Sequence, residues 1–361
     1  MNRRLASLKK LTLACLRCVL RGVYAITGFT CKVLLVAWCS LAIYFSNAPW
    51  LWLRVVLMVV FLGFGVWMLW VRPGKKSLLW FSGGCGVVLL WWTLIRPSHD
   101  RPWKPEVARM PRAVIEGDQL RISNYRNFTY RSRDDFDVHY EDRGFDLSDL
   151  KAVDFFISYW SPGLVGHTFL SFDFGNDDPL CISIEVRPEV GEGFAPVGSM
   201  FKQFELIYVA GDERDIVGVR AIHRKEDVYL YRTRTSARNA RALLEHYLER
   251  MNELADKPEF YHLLSNSCTV NTIYHAWASA GLERRFDIRY LLNGLIDQVL
   301  YAEGLVDTSL PFAELRERSR INDEALHAGE INVDFSTAIR TGLPTIPSEV
   351  PIPSSLHVPP P

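Results

Sequence analysis

The chain has 361 residues with 41 basic and 41 acidic side chains, so it carries no formal net charge, and that balance removes the bulk electrostatic case for a nucleic-acid partner. Its length accommodates two ordinary domains, or one domain behind a membrane anchor. The 48% hydrophobic content hides an asymmetry: of eleven tryptophans, only Trp160 and Trp277 lie beyond Trp103.

Residues 1–22 are basic (Arg3, Arg4, Lys9, Lys10, Arg17, Arg21) and partly apolar, and read as a cytoplasmic, amphipathic lead-in. A cleaved signal peptide is the alternative, but no small-residue cleavage site follows and further spans come directly after. Three apolar runs occupy 23–95: Val23–Phe45, Trp50–Val71 and Ser77–Ile95, each near the roughly 20 residues a bilayer demands of a helix. Lys32 sits where it can snorkel. Arg72-Pro73-Gly74-Lys75-Lys76 forms a short basic loop between the second and third runs. Both basic segments then lie on one side, which the positive-inside rule makes the cytoplasm. Everything after Arg96 is expected outside, in the periplasm of a bacterial inner-membrane protein.

Residues 96–150 read as a polar periplasmic connector with early prolines (Pro97, Pro102, Pro105, Pro111) and strand-like runs at Gln119–Ser123 and Asn127–Tyr130. A globular domain is expected over 151–305. Val153–Trp160 is apolar enough for a buried strand. His167–Phe174 alternates, with His167, Phe169, Ser171 and Asp173 on one face; Leu180–Val186 alternates with Ile182, Ile184 and Val186 inward and Cys181, Ser183 and Glu185 outward. Phe204–Ala210, Ile216–His223 and Val228–Thr233 extend a mostly antiparallel sheet. Residues 236–255 form an amphipathic helix ending before Pro258, followed by a helix from Val270 to Ala280 and another over Ile288–Glu303. A polar extension (306–341) and a Pro-rich tail (342–361) with seven prolines close the chain, the tail reading as disordered. The predicted class is α+β behind three transmembrane helices.

The chemistry points to Leu264-Ser265-Asn266-Ser267-Cys268-Thr269. Ser265, Asn266 and Ser267 are all N-cap candidates, which places Cys268 in the first helical turn, where free N–H groups and the helix dipole favour a thiolate. His167, about a hundred residues upstream on an alternating strand, is the base such a thiol needs, and His262 is the rival. Glu185, on a polar face of the next strand, is expected to orient the imidazole, with Ser183 as the fallback. The Cys268 backbone N–H is expected in an oxyanion hole. His275, two turns along the helix, is out of reach. Trp160 and Asn266 are candidate substrate-binding residues, and Phe169, Phe172, Leu263 and Leu264 are apolar side chains that either accept a chain or simply pack. Cys181 and Cys268 are the only cysteines after Cys85, and a disulfide between them would abolish the nucleophile. Cys15 and Cys18 have CxxC spacing but no second pair; no metal or organic cofactor is implied. Asp212-Glu213-Arg214-Asp215 reads as a solvated turn with local ion pairs.

Five stretches in order carry a resemblance: Ser158-Tyr159-Trp160, Gly166–Phe172, Ile184–Arg187, Tyr208–Asp215 and Asn266-Ser267-Cys268-Thr269. Together, over roughly 125–305, they resemble the Lnb N-terminal periplasmic domain family, which is similar to the circularly permuted papain-like acyltransferases and hydrolases, lecithin–retinol acyltransferase among them. There the histidine precedes the cysteine and an Asn-Cys pair opens the helix; here the asparagine stands one place earlier, at Asn266. The resemblance implies a permuted papain-like fold, with His167 and Cys268 at the catalytic positions. It further implies a thiol acyltransferase or hydrolase acting on membrane phospholipid or bacterial lipoprotein, since the family's namesake N-acylates the terminal cysteine of lipoproteins. A papain-like peptidase or amidase on cell-wall peptides, and a non-enzymatic envelope interaction protein, are the other two readings.

Overall fold

The computed structural model describes residues 2–160, 165–175, 178–280, 293–331 and 334–344. It separates into two units: 1–96 with the short segment Phe201–Gln203, and the remainder.

The first unit is a set of three helices, α1 (Asn2–Tyr44), α2 (Leu51–Val66, running on as a π-helical turn Trp67–Val71) and α3 (Lys75–Leu94). All three are long and apolar enough to cross a membrane, over Leu16–Tyr44, Leu51–Val71 and Lys75–Leu94. The expected division between a lead-in and a first span is absent. No proline interrupts residues 2–44, and isolated glycines such as Gly22 and Gly28 cost only about 1 kcal/mol each in a helix, so α1 is continuous. The helices meet on a seam of Val36, Cys39, Phe61, Phe81 and Val88. Glycine makes the approach possible: a Cβ at Gly65 would lie 2.9 Å from Val36, and one at Gly84 2.9 Å from Phe64. Phe201 stacks on Phe45 with centroids 5.9 Å apart.

The second unit is a helix–sheet–helix sandwich. Its strands are β1 (Arg112–Glu116), β2 (Gln119–Arg126), β3 (Thr129–Tyr130), β4 (Phe136–Asp137), β5 (Tyr140–Asp146), β6 (Ala152–Tyr159), β7 (His167–Asp173), β8 (Leu180–Arg187), β9 (Glu205–Gly211) and β10 (Asp227–Arg232). The main sheet runs β1-β2-β9-β8-β7-β6-β10, with β5 also on β2 and β3–β4 apart. Every pairing is antiparallel except the single β2–β9 step, Arg126 opposite Gly211. There the backbones come so close that a Cβ on Gly211 would lie 2.6 Å from the Arg126 carbonyl oxygen. The segment expected as a connector therefore supplies three strands of the sheet: alternating Leu120 and Ile122 on β2 and Phe145 on β5 have a core to enter.

Period-two alternation divides the sheet cleanly. Phe155, Ile157, Leu170, Phe172, Ile182, Ile184 and Tyr208 face α5 (Ala237–Asp256), whose Ala240, Leu243, Leu244, Tyr247, Leu248 and Met251 form its apolar stripe. Ser236 caps α5, its hydroxyl accepting from Asn239 N–H. Phe156, Phe169, Cys181, Ile207 and Val209 face the other way. That second face was expected to be polar and outward. It is instead covered by the C-terminal segment: α9 (Asn322–Ile331) and α10 (Phe335–Ala338), which follow α7 (Ile296–Ala302) and α8 (Phe312–Arg318), place Ala325, Ala328, Phe335 and Ile339 on it. Burying such side chains contributes about 1.5–3 kcal/mol for each large one. The polar extension is thus a core layer.

Two further expectations are corrected. Ile216–His223 is not a strand; Asp212 caps the short helix α4 (Glu213–Ile216) and a π-helical turn Val219–His223 follows. Nor are Glu213 and Asp215 solvated, although Arg214 between them is exposed. Asp215 is fully buried, and its carboxylate accepts from Arg126 Nε (2.9 Å), Arg126 Nη2 (2.7 Å) and Phe128 N–H (2.8 Å). Glu213 is buried beside Ser171 and Arg340, and Arg340 bridges it to buried Asp154, which Arg232 also holds. Residues 288–292 of the expected helix, and the tail from 345 onward, lie outside the described residues.

Candidate active site

The helix that carries the cysteine, α6 (Cys268–Ser279), begins at Cys268 itself. Of the three cap candidates, Ser267 takes the position, its hydroxyl accepting from Val270 N–H. Asn266 is spent on the turn instead. Its side-chain amide donates to the Phe260 carbonyl (3.0 Å) and its amide oxygen accepts from Asn271 (3.0 Å). The structure therefore gives Asn266 a role in shaping the cysteine loop and leaves none of these contacts for a substrate.

The start of α6 meets the start of β7. Thr168 and Thr269 hydroxyls hydrogen-bond at 3.1 Å, fastening the first helical turn to the strand. The buried thiol thereby comes within the electrostatic reach of His167 and the Thr168 N–H, and Thr269 Oγ1 lies 3.8 Å from Sγ. His167 Nε2 is 2.8 Å from Ser183 Oγ and 3.1 Å from Glu185 Oε1. Ser183 donates to the same Glu185 oxygen at 2.6 Å. Both the expected orienter and its fallback thus sit on one side of the imidazole, because Ser183 and Glu185 are two residues apart on β8 and share a face. Phe169 stacks beneath the imidazole with centroids 5.6 Å apart.

The electrostatics follow from this geometry. Burial pushes the Cys268 thiol up, but the adjacent imidazole, the Thr168 N–H and the Thr269 hydroxyl together bring it down from 9.0 to about 6. Burial likewise depresses His167, but the Glu185 carboxylate and the sulfur beside it raise it to about 9. Burial raises Glu185, and His167 and Arg220 more than offset this, holding its carboxyl well below the ordinary range. Between about pH 6 and 9 these values describe a thiolate–imidazolium pair, a coupled couple whose protons belong to both residues.

Other sequence candidates fall elsewhere. His262 bonds Ser265 (2.8 Å), and His275 bonds the Tyr208 hydroxyl (2.8 Å). Cys181 is a free buried thiol on the face of the sheet opposite the cluster that contains Cys268. The disulfide alternative is not formed. Phe172 packs against Tyr247 in the α5 layer, away from the pair. Trp160 is 46% exposed at the end of β6, edge-on to Phe194 at 5.9 Å. Val165, Phe194, Val197 and Leu264 are further exposed apolar side chains, on the loops after β6 and β8 and just before α6.

Sequence reasoning missed two neighbours. Tyr261, buried, has a hydroxyl that senses both the Cys268 sulfur and the Cys268 N–H, the group expected in an oxyanion hole. Arg220 reaches Glu185 from the π-helical turn. A tyrosine seven residues before a helix-start cysteine carries no local signal, and Arg220 was hidden by its reading as a strand residue. Among the described residues no cluster of His, Cys, Asp and Glu suits a metal ion.

Residues 136–294 match the family model of the Lnb N-terminal periplasmic domain, and all five motifs that carried the resemblance fall inside that range. No curated protein and no solved structure gives a significant match to the chain. The family match and the three apolar helices make this a membrane protein with a periplasmic domain.

Proposed function

We propose that the protein is a multi-pass inner-membrane enzyme whose periplasmic domain transfers or hydrolyses acyl groups of phospholipid or lipoprotein through a cysteine thioester. The observation that carries this reading is the buried Cys268–His167 pair with Glu185 behind the imidazole. A thiolate formed beside an imidazolium needs no separate deprotonation. Sγ attacks the acyl carbonyl carbon, and the oxyanion develops beside the Cys268 N–H at the start of α6. As the C–O bond breaks, imidazolium gives its proton to the leaving alkoxide, and an alcohol departs. An amine, or water, then attacks the thioester while His167 takes its proton; the C–S bond breaks and the thiolate returns.

The exposed apolar pair Trp160 and Phe194, edge-on to each other, with Val165, Val197 and Leu264 exposed on loops around the sheet, supports an acyl substrate over the polar cell-wall peptides a peptidase would bind. The free state of Cys181 and Cys268 speaks against a purely structural role. Trp160 is assigned to substrate contact, and no metal or organic cofactor enters the chemistry.

The test is intact mass of the detergent-solubilised full chain after incubation with phospholipid, in wild type, Cys268→Ala and His167→Ala. An acyl-sized adduct that hydroxylamine removes, absent from both variants, is expected. No adduct in wild type, with no turnover of lipid, overturns the reading.

A further inference from the structure

Arg220 is buried, and the reading just given assigns it no task. Its Nη1 donates to the Ile216 carbonyl and its Nη2 to Glu185 Oε1. Its guanidinium lies over the Phe169 ring, 5.0 Å from the centroid, and the same ring stacks with His167. One oxygen, Glu185 Oε1, thus accepts from Arg220 and Ser183 and lies 3.1 Å from His167 Nε2, which itself bonds Ser183. A carboxylate that served only to hold an imidazole would need one of these donors, not a buried cation.

We propose that Arg220 is a positioning residue for the Cys268–His167 pair: it pins Glu185 Oε1 in front of His167 Nε2 and takes up part of the charge that the imidazole would otherwise feel. The inference rests on the thioester reading, and it explains how one histidine can both accept and return a proton. A carboxylate given wholly to His167 would hold the imidazolium too tightly for the second transfer. A carboxylate shared with arginine orients the ring and releases it. The shared oxygen, the two-point anchorage of the guanidinium and the Phe169 ring that both Arg220 and His167 touch fix this geometry. The other charges that sense Glu185 are Arg126, Arg224 and His167, with the Tyr261 hydroxyl nearby. None of these but His167 bonds it, so Arg220 is the direct lever.

The experiment is the pH profile of Cys268 alkylation by iodoacetamide on the solubilised full chain, read by peptide mass spectrometry. The profile rises once as the thiolate forms and again as the imidazolium loses its proton. In Arg220→Met the second rise is expected to move up by about one pH unit, the scale of a lost neighbouring charge. Arg220→Lys, which keeps the charge should the methionine variant fail to fold, moves it by less than half as much. In Glu185→Gln the second rise falls, and adding Arg220→Met to that background changes it little. A folded Arg220→Met with an unmoved second rise, or an equal shift with and without Glu185, overturns the proposal. A wild-type profile with no thiolate near neutrality removes the pair itself, and with it the thioester reading, which is a separate and recognisable failure.

Discussion

Replacing His167 by alanine tests the site without any knowledge of the substrate. The Cys268 thiol stands at about 6 because the imidazole, the Thr168 N–H and the Thr269 hydroxyl together outweigh burial, the largest single influence on it. Without the ring, the Thr168 N–H and Thr269 hydroxyl remain, but burial opposes them, so the midpoint should return to 9.0 or above. A displacement of about three pH units corresponds to roughly 4 kcal/mol of thiolate stabilisation. At pH 7 the thiolate fraction falls about 100-fold, but a more basic thiolate is intrinsically more nucleophilic, by about 20-fold over that range. The net alkylation rate at pH 7 should therefore drop only about five-fold, and the informative quantity is the midpoint. Iodoacetamide pulses from about pH 5 to about pH 10 bracket both thiolate states, and Cys181, which burial drives well above its ordinary value, serves as the unreactive internal reference. A midpoint that stays below 7 in His167→Ala would falsify the assignment of His167 as the group that activates Cys268.

Three further outcomes concern the frame around the site. Arg340→Ala leaves Glu213 with Ser171 alone and Asp154 with Arg232 alone, both carboxylates fully buried; unfolding in denaturant should show a loss of about 3–5 kcal/mol, and an unchanged midpoint refutes the clasp. Gly211→Ala drives a Cβ against the Arg126 carbonyl at 2.6 Å, so the variant should unfold at lower temperature while Gly191→Ala, with open space around it but a positive φ, loses less. Glu205 is raised from 4.5 to about 7 by burial, against the pull of Arg101 and the Ser98 N–H. A raised acid holds its proton more tightly when folded, so its contribution is present below about pH 4.5 and fades as pH climbs to about 7, roughly 3 kcal/mol in all. The thermal midpoint of Glu205→Gln should lose less than wild type across that window, and parallel curves would count against the assignment.

The site was legible wherever its signal was local. A serine-rich cap before Cys268, strict alternation on β7 and β8, and the two-residue spacing of Ser183 and Glu185 can all be read without tertiary knowledge. What escaped depends on partners far along the chain. Asp215 and Glu213 look like surface charges until Arg126 and Arg340 are brought to them. Ile321, Ala325 and Ala328 cover the second sheet face at helical spacing, but alanines among charged residues give little hydrophobic contrast. Ile216, Val217, Val219 and Ile222 mimic a strand by composition; the Asp212 cap decides for helix.

The clasp at Arg340 has a consequence for how the protein is made. Asp154 and its cation are 186 residues apart in the chain, and α9 and α10 close the second sheet face only after every strand has been synthesised. As the chain emerges from N- to C-terminus, the strands must wait with one apolar face open and two carboxylates short of a cation. Completion of this domain therefore waits for the synthesis of residues beyond every strand, and the nascent strands are exposed to chaperones, proteases and each other until α9 and α10 arrive. A stop before residue 340 leaves that core unfinished, whereas loss of residues after 344 spares every described contact of the clasp.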